Sequence, residues 1–520
     1  MRRQEAGCER NGRRQVRKGM NGKMEGQQPI EIKVLQGNRE ARIAGSKGQT
    51  LLSVLQQQEE KLRQYGIFGC PKGHCGGRGS CGRCQVRFLS GAPLPGNADR
   101  MQFSPGELRE GMRLACTGKI GRDCTVELCF PDEGKLTVVT DSILGAGQYG
   151  QIKESIMEHL GRKEEQAERE PAYFAAIDIG TTTVAMQLID RRTGLAAASH
   201  TFLNPGRVYG ADVLSRVQAS ISGAGESLTE ALRGSLEAGI RELSRTGEPE
   251  FIVCVGNTAM EHILCGDSLE GLARAPFEPG NLSCRKMQLA GKTAILLPGV
   301  SAFVGADIVA GVYACDMPKR KELSLYLDLG TNGEMVLGNR EGMFAAATAA
   351  GPAFEGNATA GVYGADMTAV VASLLRKGIL DHTGLLAEPY FTQGVQEGNV
   401  FLTQKNVREF QLAKAAVRCG LEELLKQYDV GAEGVAQVFL AGGFGYYLRE
   451  EDALLTGLLP KEFAGRVLSA GNAALAGAVR YGMECDETSR PDLSFLDRIK
   501  AINLAGQKGF GERYFGWLSF

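Results

Sequence analysis

The sequence predicts a multidomain α/β chain: a small α+β unit at the front, a charged connector, and a larger α/β unit made of two lobes. Three observations carry that expectation. Seven of the 14 cysteines fall between Cys70 and Cys129, while the others (Cys8, Cys254, Cys265, Cys284, Cys315, Cys419 and Cys485) are scattered without a pairing pattern. Two segments of one form, Ile177-Asp-Ile-Gly-Thr-Thr-Thr183 and Leu327-Asp-Leu-Gly-Thr-Asn-Gly333, lie 150 positions apart. Glycine accounts for 70 of 520 residues, well above the usual share of about 7%. It gathers at the ends of apolar runs, where an α/β fold binds its ligands. A chain of this length holds roughly 3–4 domains and buries more than one core without help from disulfides.

Composition narrows the function classes. The formal net charge is −1, which gives nucleic-acid binding no support. Residues 1–27 contain eight Arg or Lys and no apolar core, so they are not a secretory signal. Residues 1–28 are read as a disordered basic tail, or as sequence upstream of a true start at Met20 or Met24 in place of Met1. The longest uncharged stretch, Gly434 to Leu448, has fifteen residues and is broken by glycines, too short to span a membrane. Clustered cysteines in a large chain point to a reducing compartment and metal ligation. The expectation is a cytoplasmic protein that engages neither nucleic acid nor membrane.

The front unit is placed at 29–132. Ile30-Glu-Ile-Lys-Val34 alternates as a strand does, Thr50 caps a helical run over Leu51–Leu62, and strands at Gln85–Leu89 and Thr125–Phe130 close the unit. Between helix and strand lies Cys75-Gly-Gly-Arg-Gly-Ser-Cys81-Gly-Arg-Cys84, with Cys116 further on. The spacing C-x5-C-x2-C plus a distant fourth cysteine is one residue longer in its first gap than the plant-type pattern of a 2Fe–2S cluster. Gly76, Gly77, Gly79 and Gly82 let the backbone wrap closely and aim N–H groups at sulfur. Structural zinc, the alternative, favours two separated C-x2-C knuckles. Cys75, Cys81, Cys84 and Cys116 are therefore the expected ligands, with Cys70, Cys124 and Cys129 as rivals that are read as packing residues. A small sheet with one helix and a cluster loop resembles the β-grasp ferredoxin fold.

Residues 133–171 are read as a linker containing a charged helix over Ser155–Glu170, and 172–520 as the two-lobed unit. Its clearest helix is Leu228–Leu243, with Leu232, Leu236 and Ile240 on one stripe. In the first lobe Asp178, Gly180, Thr181, Thr182 and Thr183 form a strand-to-turn loop: glycine admits phosphate oxygens, hydroxyl and N–H groups donate to them, and the carboxylate holds Mg²⁺ through water. Asp328, Gly330, Thr331 and Asn332 repeat it in the second lobe, and the two loops are expected to affect folding independently. Val438-Phe-Leu-Ala-Gly442-Gly443-Phe-Gly445 reads as a strand entering a glycine turn where an adenine ring meets bare backbone. This ordered triple resembles the acetate and sugar kinase, heat-shock chaperone and actin superfamily of ATPases. That likeness implies an actin/hexokinase-like fold with ATP and Mg²⁺ as ligands, catalytic Asp178 and Asp328, and an adenosine motif at Gly442 and Gly443.

Four further segments match a narrower group: Asn204-Pro-Gly-Arg-Val-Tyr-Gly-Ala-Asp212, Val255-Gly-Asn-Thr-Ala-Met-Glu-His262, Ala346-Ala-Thr-Ala-Ala-Gly-Pro-Ala-Phe-Glu-Gly356 and Gly471-Asn-Ala-Ala-Leu-Ala-Gly477. With the ferredoxin-like front end they resemble the reductive activators of corrinoid proteins, from about residue 29 onward. The chain lacks the paired multi-cysteine 4Fe–4S motifs of the methylamine-pathway activators. The resemblance implies ATP-dependent return of a partner's cobalt from Co(II) to Co(I) for methyl transfer, with a corrinoid protein and a low-potential electron donor as partners and a homodimer as one possible assembly. Plant-type clusters sit at roughly −400 mV, so a cobalt couple below that needs nucleotide to bias the transfer. Other readings stay open at this stage: an activator of another low-potential enzyme such as a radical dehydratase, a small-molecule kinase with an appended redox domain, or an electron-carrier scaffold that binds ATP without turnover. Asn257 and Thr258 are candidates to touch ribose or phosphate. Glu355 and Asp307 are read as solvated carboxylates in glycine turns, His262 as packed on its helix, and Trp517 as an anchor of the final segment.

Overall fold

A computed structural model describes residues 29–36, 39–58, 61–62, 65, 67, 84–103, 105–128, 172–210, 212–330, 332–351, 354, 364–398, 400–485 and 490–520. The basic tail, the linker helix, Cys70, Cys75, Cys81, Cys129, Thr331 and Glu355 lie outside them. The chain divides into two compact units, Met1–Asp132 and Glu133–Phe520.

In the first unit, β1 (Ile30–Gln36) and β2 (Arg39–Gly45) form an antiparallel hairpin, and β1 lies parallel to β5 (Cys124–Glu127). β5 continues to β3 (Gln85–Ser90) and β4 (Met112–Leu114), giving the order β2-β1-β5-β3-β4. Alternation sends Ile32, Val34, Ile43, Val86 and Val126 to one face, where they bury with Leu51, Val54 and Leu55 of the helix Leu51–Gln57. The Thr50 hydroxyl accepts a hydrogen bond from the Ser53 N–H and so satisfies a donor at the open helix end. A mixed five-stranded sheet gripping one helix is the β-grasp ferredoxin fold.

The second unit is built twice on one plan. β6 (Tyr173–Ile179), β7 (Thr183–Asp190) and β8 (Leu195–Leu203) form an antiparallel meander, while β9 (Pro249–Gly256) and β11 (Lys292–Leu296) extend it in parallel beyond β6, with β10 (Arg285–Leu289) at the edge. β12 (Ser324–Leu329), β13 (Gly333–Asn339) and β14 (Gly342–Thr348) repeat the meander, β17 (Gln437–Ala441) and β18 (Val467–Gly471) repeat the parallel extension, and β19 (Ile499–Ala501) adds an edge. The order β11-β9-β6-β7-β8 thus recurs as β18-β17-β12-β13-β14, with every parallel and antiparallel relation kept. A hairpin of β15 (Val395–Glu397) and β16 (Val400–Leu402) stands apart.

Each sheet is covered on its outer face by helices: Gly225–Leu243 on the first, with Leu228, Leu232, Leu236, Ile240 and Leu243 buried, and Gly364–Arg376 with Gln404–Gln427 on the second. The inner faces meet a shared layer of two helices, Ala306–Ala314 and Ala473–Glu484. Each of these helices follows the last parallel strand of its own lobe and crosses to the opposite sheet. Gly482 lies against the Phe174 ring of the first sheet, and Gly311 against Tyr326 of the second. The helices also touch one another so closely that a Cβ on Gly477 would stand 2.0 Å from the Ala310 carbonyl oxygen. Among the described residues no helix is long and apolar enough to cross a membrane.

Candidate functional site

The first predicted phosphate loop is the β6–β7 turn, and it is held from below by three side chains. The Asn204 amide donates to the Gly180 carbonyl at 2.7 Å. Arg216, fully buried on the helix Val213–Ala219, donates to the carbonyls of Thr181 and Gly210. A buried guanidinium is tolerable because carbonyl oxygens take its protons. The Asn257 amide donates to the Thr181 hydroxyl at 2.9 Å, while its oxygen caps the helix Thr258–Cys265 through the Met260 N–H. Asn257 therefore braces the loop and caps a helix. His262 is buried with Nδ1 2.7 Å from the Thr258 carbonyl, as expected of a packing residue.

The second loop is the β12–β13 turn, closed by a hydrogen bond from the Gly330 N–H to the Asn332 carbonyl at 2.8 Å. The third motif differs from the sequence expectation. Gly442 begins a short helix, Gly442–Tyr447, directly after β17, where a glycine turn was predicted. Gly442 has φ of +75°, and a Cβ there would lie 2.6 Å from Asp328 Oδ1, so only glycine lets the helix start against that carboxylate. Gly443 is exposed with nothing within 4 Å of a Cβ placed on it, which leaves its backbone open to a flat ligand.

The strand alternation that buries Phe174 and Ala176, and Tyr326 in the second sheet, carries Asp178 and Asp328 to the same inner faces. Two more carboxylates join them. Asp307 lies in the first turn of the helix Ala306–Ala314, its carboxylate accepting from the Ile308 N–H at 2.8 Å. Glu334 lies directly across the β12–β13 ladder from Asp328. All four are half-buried in a layer otherwise almost fully buried. Burial pushes the Asp178 carboxyl up to about 6, against which the Asn472 amide, 2.9 Å from its Oδ2, pulls downward. Burial and then the charge of Asp178 push Asp328 up to about 7. Burial and the charges of Asp178 and Asp328 push Asp307 up to about 8. Burial, with Asp307 and Asp328, holds Glu334 well above the usual carboxylate range. A crevice of four carboxylates that disfavour their own ionisation suits protons or a cation reached through water, since no three of them converge as a direct metal site, and two helices begin beside it, favouring phosphate.

Two sequence expectations are corrected here. Asp307 is a member of this crevice and not a solvated turn carboxylate, because its helix crosses to the opposite lobe. Asp178 and Asp328 are not independent, since the charge of one raises the other. Sequence reasoning misses Glu334 altogether and meets Asn472 only inside a family segment. Glu334 had a signal: in a hairpin turning at 330–332, alternation returns position 334 to the face of 328.

Of the four predicted cluster cysteines, the described residues include Cys84 and Cys116. The pairing of Gln85 with Leu114 brings them together: the Ala115 N–H donates to the Cys84 carbonyl at 2.7 Å, and the Cys116 N–H to Cys84 Sγ at 3.4 Å. Both are buried. A sulfur that accepts from a backbone N–H in a buried loop fits thiolate ligation of iron. Cys124 lies beside Gly91, beyond the far end of β3, on the order of 20 Å along the strand from Cys84. Burial pushes its thiol up to about 11, the behaviour of a packing cysteine. No group of three or more metal-binding side chains occurs among the described residues.

The fold and crevice define a ferredoxin-like unit joined to a duplicated ATPase of the actin and hexokinase type. Family models agree: residues 173–320 match the RACo middle region, and 322–370 and 357–520 match the C-terminal domain of RACo, the ASKHA domain. The boundary falls between the two lobes. The corrinoid activation enzyme RamQ of Eubacterium limosum is 30% identical over 417 residues, covering 66% of this chain and 70% of that protein. A Co(II) methylated amine-specific corrinoid protein reductase of Methanosarcina barkeri is 22% identical, over 60% of this chain and 70% of that one. Among solved structures, a reductive activator for a corrinoid, iron–sulfur protein superposes with a TM-score of 0.59 at 22% identity, over 94% of this chain and 98% of that chain. The chain belongs to the family of reductive activators of corrinoid proteins.

Proposed function

We propose that this protein restores a corrinoid protein to its active state by passing one electron to cobalt, Co(II) to Co(I), in a step driven by ATP. The observation that carries the reading is the crevice in which carboxylates from both lobes meet beside two phosphate loops, in a chain of this family. Asp178 and Asp328 hold the Mg²⁺ of ATP through water. Gly180, Thr181, Thr182 and Thr183 on one side and Gly330, Thr331 and Asn332 on the other receive the phosphates, and Gly442 and Gly443 the adenosine. The hydrogen bond from Asn472 to Asp178 spans the lobes, so a cation that draws on Asp178 also draws on the helix Ala473–Glu484 of the second lobe. That gives nucleotide a route to lobe closure. A 2Fe–2S cluster on Cys75, Cys81, Cys84 and Cys116 supplies the one-electron donor when bound. The Cys116 N–H stabilises negative charge on the Cys84 sulfur. A low-potential donor and a reducing cytoplasm complete the setting.

The test is anaerobic mixing of the full chain with a Co(II) corrinoid protein and a strong reductant, following the cobalt spectrum. Net Co(I) is expected only with MgATP, while the chain's own cluster is reduced with or without it. Equal Co(I) yield in the absence of nucleotide would remove ATP from the mechanism.

A further inference from the structure

The two lobes share a strand plan but not a crevice. In the first, the residue across the ladder from Asp178 is Ala185; in the second, the residue across from Asp328 is Glu334. Ala185 is buried in the inner core, so the repeated hairpin folds with a methyl group at this place. A carboxylate there does nothing for the fold. It costs stability instead, because it is half-buried, faces Asp328 and Asp307, and forms no ion pair with any Lys or Arg among the described residues. Glu334 is also oriented. A side-chain hydrogen bond ties it to Asn332 of the second phosphate loop, and its flanking residues Gly333, Met335 and Val336 are buried. It keeps some exposure where they keep none, so it opens onto the crevice beside the loop that receives phosphate.

We propose that Glu334 is the catalytic residue that receives the proton of the attacking water when ATP is hydrolysed. The inference rests on the ATP-driven reading above. The water oxygen bonds to the γ-phosphorus as the bond from that phosphorus to the β–γ bridging oxygen breaks. ADP leaves with the bridging oxygen, inorganic phosphate forms, and the water's proton passes to a Glu334 carboxylate oxygen and then to solvent. No oxidation or reduction accompanies the step.

The experiment compares the full-length wild type with Glu334→Gln, Glu334→Asp and Glu334→Ala, measuring MgATP binding by calorimetry and phosphate release in the presence of a corrinoid protein. Glu334→Gln is expected to bind MgATP within about threefold of wild type and to release phosphate about 10²–10⁴-fold more slowly, the range of general-base loss. Glu334→Ala is expected to regain part of its turnover on addition of formate, a small carboxylate, which a purely structural role does not produce. Near-wild-type turnover in Glu334→Gln overturns the assignment. So does parallel loss of MgATP binding, which would make Glu334 a ligand of the nucleotide's cation. Should Glu334→Gln fail to fold, Glu334→Asp and the formate response of Glu334→Ala decide the matter in the same directions. Wild type that binds MgATP but releases no phosphate overturns the hydrolytic reading itself, a failure seen before any variant is compared.

Discussion

The lobes of the ATPase unit repeat one another strand for strand, yet they handle charge differently. Asp178 of the first lobe faces Asn472, the residue that caps the crossing helix Ala473–Glu484 of the second, and receives a hydrogen bond from it. Asp307, in the first turn of the corresponding helix of the first lobe, offers a carboxylate in place of an amide and is repelled by both Asp178 and Asp328. Asp178, with its amide donor, is held to about 6; Asp328, raised by burial and the charge of Asp178, reaches about 7, and Asp307, raised by burial and the charges of both, about 8. Duplication supplies a symmetric frame, and single substitutions at the helix starts and at position 334 turn it into a crevice with an amide-braced side and an acidic side. The acidic side is the one that needs a cation or a proton.

The largest effect that breaks the comparison is on turnover. Asp178→Ala and Asp328→Ala are each expected to lower phosphate release by about 10²-fold or more while the visible absorption of the cluster persists. Their effects on stability should be opposite in sign to their effects on activity, because removing either carboxylate relieves the other. Coupling of about 0.5–3 kcal/mol is expected in the double-mutant cycle, as for residues in one network, measured by urea unfolding of the nucleotide-free protein. Wild-type turnover in both single variants would remove the two-loop model, and strict additivity would remove the coupling.

A smaller effect tests the crossing that makes the lobes share a crevice. Gly477→Ala places a methyl group 2.0 Å from the Ala310 carbonyl oxygen, and neither helix can yield without moving Asp307 or Asn472. A loss of about 1–3 kcal/mol is expected, the usual cost of overpacking. Gly511→Ala is the control, since nothing lies within 4 Å of its added methyl group. Equal melting temperatures for the two variants would show that the helix crossing is loosely packed.

Much of this was legible in the sequence, for reasons that are local. Thr50 caps its helix, Leu228–Leu243 buries its leucine stripe, and both Asp-x-Gly-Thr segments join paired strands, because capping, periodicity and turn chemistry act over a few residues. Asp307 and Asn472 were misread or passed over because their roles arise only when two helices exchange lobes, and no local pattern announces that. The helix at Gly442 was mistaken for a turn because glycine signals both, and the deciding contact is with Asp328, more than a hundred residues away. The meeting of Cys84 with Cys116 lies between these cases: the spacing singled out the residues, and the β3–β4 register brings them together.

The subtlest difference between the lobes is in their response to pH. Asp178, Asp328 and Asp307 have an ordinary value of 3.8 and are raised to about 6, 7 and 8 in the folded protein. A raised carboxylate favours the protonated folded state, so its contribution is complete below the ordinary value and is lost as pH climbs through the folded one. The nucleotide-free protein should therefore melt a few degrees higher at pH 6 than at pH 8.5, and MgATP should flatten the slope by supplying the missing positive charge. Asn472→Asp carries the comparison to its end, for it replaces the amide that donates to Asp178 with a carboxylate. Asp178 then loses a donor and gains a like charge, and the fall in melting temperature with pH should steepen and extend to higher pH. An unchanged profile in Asn472→Asp would mean that the amide–carboxylate contrast does not set the difference between the lobes.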